Sequence, residues 1–281
     1  MSIKLPQRIL SNTPYWFLLA IVVLWSVAPI YFAISSSFKI PKEIFGYPPT
    51  YFPEEATLSN FKRLFEDVPE FTRALRNSGI VTVFSMILTI TVCTPAAYAF
   101  SRYKSPIFRR SAILLIAIRM FPPLVISVPL FPILNELNLS DSHITLVLLY
   151  TTFQATIITL IMKSFIDGIP IEIEEAAYVD GATMYQVFIR IILPLSRPVI
   201  VATAIMVGSY AWNEFQFGFL FTSTNARTAP VLIAEMVGSL TGVQWGNVFA
   251  ASVVQLLPAL LFLWIIQNQL IRDMTSGATK G

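Results

Sequence analysis

Six stretches of this chain are apolar over the length that a bilayer demands, since a helix crosses a hydrocarbon core of about 30 Å in roughly 20 residues. They run Tyr15–Ser37, Ser78–Phe100, Ala112–Leu134, Ile144–Met162, Val199–Phe221 and Val248–Leu270. Only Arg119 and Glu214 bring charge into them. Soluble domains carry about 25% charged residues, whereas this chain of 281 has 12%, with 55% hydrophobic. The expectation is an all-α, polytopic membrane protein with six transmembrane helices. A soluble globular domain and a disordered chain are excluded. So is a disulfide scaffold, because Cys93 is the single cysteine. A net charge of +3 without a sustained basic run gives no footprint for nucleic acid.

Orientation follows from lysine and arginine in the short loops. Lys4, Arg8, Arg102, Lys104, Arg109, Arg110, Lys163, Arg190, Arg197, Arg272 and Lys280 fall on one side, and seven others, six of them between the first two spans, on the opposite one. The richer side is read as cytoplasmic, which puts both termini inside a plasma (inner) membrane. The first span, longer in its apolar core than a cleaved leader, is read as a retained signal-anchor. Residues 1–14 then form a cytoplasmic N-terminus, 15–272 the transmembrane domain with a cytoplasmic loop at 168–196, and 273–281 a cytoplasmic tail. In the long outer loop Ser59 is a candidate cap for a short helix that aligns Phe61, Leu64 and Phe65.

Two spans depart from plain lipid-facing helix. The third contains Pro122, Pro123, Pro129 and Pro132, each lacking a backbone donor, so it is either a broken helix lining a path or a kinked packing helix. Arg119 lies near enough to its cytoplasmic edge to snorkel. The fifth carries Trp212, Asn213, Glu214 and Gln216. A carboxylate at membrane depth needs a cavity or a partner, and this set offers hydrogen-bonding groups and a flat aromatic face to a polyhydroxy solute. A structural hydrogen-bond knot between helices is the other reading.

The loop between spans four and five runs from Gly168-Ile169-Pro170 through Glu172-Ile173-Glu174-Glu175-Ala176-Ala177-Tyr178-Val179-Asp180-Gly181-Ala182 to Leu193-Pro194-Leu195. Glu172, Glu174 and Glu175 suit the positive end of a first short helix, Gly181 breaks it, Asp180 is placed to cap a second, and Pro194 stops that one. The result is a compact knob. Its pattern, Glu-Ala-Ala, Asp-Gly-Ala and Leu-Pro-Leu, resembles the EAA motif of binding-protein-dependent ABC importer permeases. Ala96-Ala97-Tyr98-Ala99-Phe100, Trp212-Asn213-Glu214-Phe215, Trp245-Gly246 and the tail Thr275–Gly281 are similar to the carbohydrate-uptake branch, of the maltose-type second permease. Asp273-Met274 departs from it, since related tails carry Gly-Leu there. The likeness covers most of the chain beyond about Asn60.

That resemblance implies a type I ABC importer permease fold. It further implies a second homologous permease subunit, two ATPase subunits that bind ATP and magnesium, an extracytoplasmic solute-binding protein, and lipid as the surrounding medium. Carried onto these positions, Glu175, Ala176, Ala177, Asp180, Gly181 and Ala182 contact the ATPase, and Thr275, Gly277 and Lys280 reach it from the tail. Asn225, Arg227 and Thr228 are candidates for touching the binding protein. The chain has no G-x-x-x-x-G-K-[ST] run, so no phosphate-cradling loop of its own. It is therefore expected to hold no cofactor, metal or catalytic group. A self-sufficient secondary carrier is the alternative, disfavoured by so few intramembrane ionisable residues. An integral-membrane enzyme is disfavoured more strongly, with His143 the sole histidine.

Overall fold

A computed structural model describes residues 13–103, 105–239 and 242–277, so Lys4, Arg8, Lys104 and Lys280 lie outside the described residues. All regular elements there are helical. In order they are α1 Thr13–Ser37, α2 Pro41–Ile44, α3 Ser59–Asp67, α4 Pro69–Arg102, α5 Pro106–Arg119, α6 Pro123–Glu136 and α7 His143–Asp167. They continue as α8 Glu172–Val179, α9 Met184–Val187, a π turn Phe188–Ile192, α10 Leu193–Leu195, α11 Arg197–Asn213, α12 Gln216–Phe221, α13 Ala229–Val237 and α14 Trp245–Gly277.

Among the described residues four helices are long and apolar enough to cross a bilayer unbroken: Tyr15–Ser37 of α1, α4, α7, and Trp245–Ile265 of α14. They account for the first, second, fourth and sixth expected spans. The third is two helices, α5 and α6, parted at Met120-Phe121-Pro122, where Pro122 and Pro123 remove consecutive donors. The fifth begins inside a bent pair, Met184–Leu195 and Arg197–Asn213, which meet at 72°. It does not continue to Phe221, because the helix stops at Asn213.

The chain divides into two compact units. One takes residues 1–73, 232–257 and 272–281. In it the Asn60 amide, 1% exposed, donates to the carbonyls of Ser37 (2.9 Å) and Lys39 (2.7 Å), which closes the exit from α1 onto α3. Ser59 does not cap α3 as expected: the cap position is Leu58 with no side-chain bond, and the Thr57 hydroxyl accepts the Ser59 N–H instead. Of the aligned apolar residues Leu64 is fully buried and Phe65 is exposed. No residue in the 18-residue apolar window of α1 is fully buried among the described residues.

The second unit takes residues 74–231 and 258–271, and its core is organised along α7. Towards one end Cys93, Tyr98, Ile158, Met162, Ile166, Val187, Ile192 and Val207 pack together, joining α4, α7, the π turn and α11. Towards the other Val81, Leu134, Leu146, Tyr150, Ala211, Phe217 and Phe221 join α4, α6, α7, α11 and α12. Inside these helices the hydroxyls of Thr94 and Thr203 turn back to the preceding turn, donating to Ile90 O (2.7 Å) and Val199 O (2.6 Å).

A methyl group at Gly246 would lie 2.3 Å from the Asn60 side-chain oxygen, whereas one at Gly79 meets nothing within 4 Å. Gly246→Ala is expected to push Asn60 off its two carbonyls and cost about 1–3 kcal/mol as an overpacking defect. Gly79→Ala is expected to be neutral or mildly stabilising in its helix. Thermal midpoints of the two variants in detergent, compared with the parent, check the contrast.

Candidate functional site

The knob between α7 and α11 is built from two cap motifs back to back. Asp180 is the C-cap residue of α8, and Gly181 follows at φ +83°, the left-handed conformation open to glycine. The Ala182 N–H then reaches Ala177 O (2.9 Å) and the Gly181 N–H reaches Tyr178 O (3.0 Å), the pair of bonds that closes a Schellman turn. Thr183 comes next: its hydroxyl accepts the Gln186 N–H (3.3 Å) while the Gln186 carboxamide accepts the Thr183 N–H (2.8 Å), a capping box. Thr183, not Asp180, thus caps the second helix. Asp180, whose backbone closes α8, stands three residues before Thr183 and is one turn too early to serve α9.

Pro194 does not stop that helix either. It sits in the first positions of α10, where a missing N–H costs nothing, and the preceding backbone widens into the π turn. The direction changes only at Ser196.

On the knob Glu175, Ala176, Asp180 and Gly181 are exposed, with Val179 87% accessible. Ala177 and Ala182 face inward and pack against the α4 and α7 core. The three glutamates of the first turn separate: Glu172 and Glu175 point to solvent, while Glu174 is 3% exposed. Its carboxylate accepts the Tyr98 hydroxyl at 2.7 Å and the Arg102 Nε–H at 2.5 Å. Arg102 also donates to Ile169 O (3.1 Å) and to the Ser101 hydroxyl (3.1 Å), and Ser101 in turn donates to Asp167, paired with Lys163 at 2.6 Å. Removing one partner of so buried a pair costs about 3–5 kcal/mol. Nothing in the sequence spacing distinguishes Glu174 from its neighbours, because the 72 residues to Arg102 are bridged only by the fold.

Glu214 stands at the interruption of the fifth span. It is 7% exposed and extended (φ −69°, ψ 127°), and its two oxygens accept the N–H groups of Phe217 (2.8 Å) and Gly218 (3.2 Å). The side chain caps α12, whose first turn offers donors without helical acceptors. Trp212 is buried, Asn213 is exposed with its amide on Ser209 O (2.8 Å), and Gln216 is half-buried with a buried Nε2 that has no acceptor among the described residues. The four therefore do not share one face. Arg119, expected to snorkel, lays its guanidinium 5.2 Å from the Phe153 ring centroid, at the lip of a cavity of about 300 Å³ lined by Leu130, Leu149, Phe153 and Phe217.

On the far side of α12 the loop 222–228 is tied down by two residues that sequence reading did not single out. Asp141, itself left-handed at φ 54°, accepts the backbone N–H groups of Ser223 (3.0 Å), Thr224 (3.0 Å), Asn225 (2.8 Å) and Ala226 (3.0 Å). Partial burial by itself would raise its pKa, but these four donors outweigh that and hold the carboxyl well below the ordinary aspartate value. Asn77 donates to Asn225 O (2.8 Å) and Arg227 O (2.9 Å). Both of its amide protons are thereby used, so its oxygen accepts from His143 Nε2 at 2.9 Å. Asn225 is exposed and Arg227 half-buried, but Thr228 is 2% exposed, which removes its side chain from any surface contact. Of the tail, Thr275 and Gly277 continue the backbone of α14.

A family model described as "Binding-protein-dependent transport system inner membrane component" matches residues 90–276. The sulfoquinovosyl glycerol transport system permease of Agrobacterium fabrum is 33% identical over 273 residues, covering 96% of this chain and 95% of that protein. The trehalose transport system permease of Mycobacterium tuberculosis is 32% identical over 270 residues, covering 95% and 97%. In fold the chain resembles a solved bacterial ABC transporter involved in the import of the acidic polysaccharide alginate. That match has a TM-score of 0.78 at 20% identity and covers 95% of this chain and 99% of the solved one.

Because Asp141 has a depressed folded pKa, the stability its tie contributes is fully present above the ordinary aspartate pKa of about 4 and is lost as pH falls through the folded value. Asp141→Asn keeps a residue that tolerates the left-handed backbone but removes the charge. Hydrogen exchange of residues 222–228 is expected to be faster in this variant at neutral pH and to lack the acid-dependent step of the parent. Matching exchange profiles would remove Asp141 from this role.

Proposed function

The chain belongs to the family of binding-protein-dependent transport system inner membrane components, and we propose that within it this protein is the permease subunit of an ATP-driven importer of a sugar or sugar-like solute. It is a transport subunit, not an enzyme. The observation that carries the reading is the knob at 168–196: two short helices locked by a Schellman turn and a capping box, presenting Glu175, Ala176, Val179, Asp180 and Gly181 outward. A rigid, small-residued projection of this kind suits the groove of a partner ATPase, which would supply the ATP and magnesium chemistry. Sugar-like cargo is favoured by the relatives named for sulfoquinovosyl glycerol and trehalose transport.

In this reading the partners are a second homologous permease, two ATPase subunits and a solute-binding protein outside the membrane. The path runs beside the interruption at Glu214, where exposed Asn213 and half-buried Gln216 offer polar contacts, and Trp212, buried, presents little aromatic surface. Asn225 and Arg227 face the binding protein on a loop preorganised by Asp141 and Asn77. The tail at Thr275, Gly277 and Lys280 approaches the ATPase. Six crossings, with the broken third and fifth spans each counted once, put both termini in the cytoplasm. Irregular backbone at membrane depth is tolerated where it lines a cavity or meets protein: the interruption at Glu214, 7% exposed, fits that rule within the chain, and the exposed break at 120–122 calls for cover by a partner in the assembly.

Mild-detergent affinity purification from the host is expected to recover an ATPase and a second permease, and the reconstituted assembly is expected to take up solute only with ATP. Gly181→Asp forces a side chain into a left-handed position at a cost of about 1–2 kcal/mol and places it on the docking face, so uptake is expected to fall at least tenfold with the chain still inserted. Uptake by the lone chain without ATP would point to the carrier instead.

Single cysteines at Tyr47, 97% exposed, and Val179, 87% exposed, are expected to label from opposite sides of sealed vesicles. Native Cys93 is buried and gives little background. Labelling from one side would refute the orientation.

A further inference from the structure

We infer that Glu174 is the positioning residue that grips α8 to the end of α4, so that displacement of the knob is carried into the membrane domain through its carboxylate. The inference rests on the reading of 168–196 as the loop that meets the ATPase.

Along the chain the knob connects directly only to α7 and α11. Its link to α4 is made by side chains, and Glu174 is the hub of that link. Tyr98 Oη donates to one carboxylate oxygen (2.7 Å) and Arg102 Nε to the other (2.5 Å), so both are occupied from α4. Arg102 also holds Ile169 O (3.1 Å), in the segment where the chain leaves α7 and enters the knob. One guanidinium thus fastens the root of the knob and its first helix to the same helix end. At 3% exposure for the Glu174 side chain and 14% for that of Arg102, water competes little for the pair and the attraction is less screened than at the surface. The neighbouring glutamates point outward. The turn therefore divides its labour: Glu172 and Glu175 face a partner, and Glu174 faces inward to transmit what the partner does.

The test uses the complete transporter in proteoliposomes, with uptake and ATP hydrolysis measured together, and spin labels at Val179 and Tyr103 reporting the distance between knob and α4 end. In the parent that distance is expected to be narrow and to stay unchanged between nucleotide-free and ATP-bound states. Glu174→Gln retains the shape but loses the charge. Uptake per ATP hydrolysed is expected to drop at least fivefold while the assembly stays intact, and the distance distribution is expected to broaden. Tyr98→Phe deletes one donor without stranding a charge and is expected to move both readouts in the same direction by a smaller amount. Parent-like uptake per ATP with a parent-like distance in Glu174→Gln overturns the inference. So does uptake that falls only in proportion to hydrolysis. Should Glu174→Gln fail to assemble, Tyr98→Phe and Arg102→Lys decide by the same readouts. Failure of the unaltered chain to join an ATPase would overturn the transport reading first, before any variant is compared.

Discussion

Inside a bilayer there is no water to take over a backbone hydrogen bond, and that shortage governs how this chain is built. An unsatisfied peptide group in hydrocarbon costs several kcal/mol, so every interruption of a helix has to be made good by something nearby. The interruption after Asn213 is repaired by the Glu214 carboxylate, which supplies acceptors to two N–H groups of α12. At the break at 120–122 the Met120 N–H binds Ala117 O (3.1 Å) and the Val125 N–H binds Pro122 O (3.0 Å). Pro123, Pro194 and Pro198 sit in the first turns of α6, α10 and α11, where a missing donor is tolerated, while Pro29, Pro95, Pro129, Pro132 and Pro258 lie inside helices.

Outside the hydrocarbon the same currency is spent on rigidity. The knob is defined by cap motifs, not by a large core of its own: Ala177 and Ala182 touch the membrane domain, and most of the remaining surface is left open. Such a part is small but stiff. The loop at 222–228 follows the same logic on other residues, with Asp141 and Asn77 anchoring its backbone and Asn225 exposed on that fixed base. In both places a carboxylate is used as an anchor for donors.

Four of the six expected spans are legible from composition because hydrophobic length is a one-dimensional property, whereas the breaks in the third and fifth are not. The knob was legible because Gly181 and the glutamate-rich first turn have local causes. Asp180 and Pro194 were misassigned for an equally local reason: several residues of the right type stood within one turn of each other, and only backbone geometry selects Thr183 as the cap. The inward-facing role of Glu174 is not legible from its place in the first turn, and Asp141 and Asn77 carry no local signal at all. Their partners lie 72, 82 to 85 and 148 to 150 positions away, and no pattern within a single segment encodes such pairs. For Glu214 the residue type flagged the position, but whether its carboxylate meets solute or backbone depends on the helix stopping at Asn213, which hydropathy does not register.

The short helix α12 is held at both ends. Glu214 closes its beginning, and past its end the Asp141 N–H binds Phe221 O at 2.9 Å while the Asp141 side chain secures the residues that follow. Six residues at about 1.5 Å each span less than a third of a bilayer, so α12 is too short to cross one by itself. Fastened at both ends, it is free to move only together with the segments that carry Asp141 and Glu214.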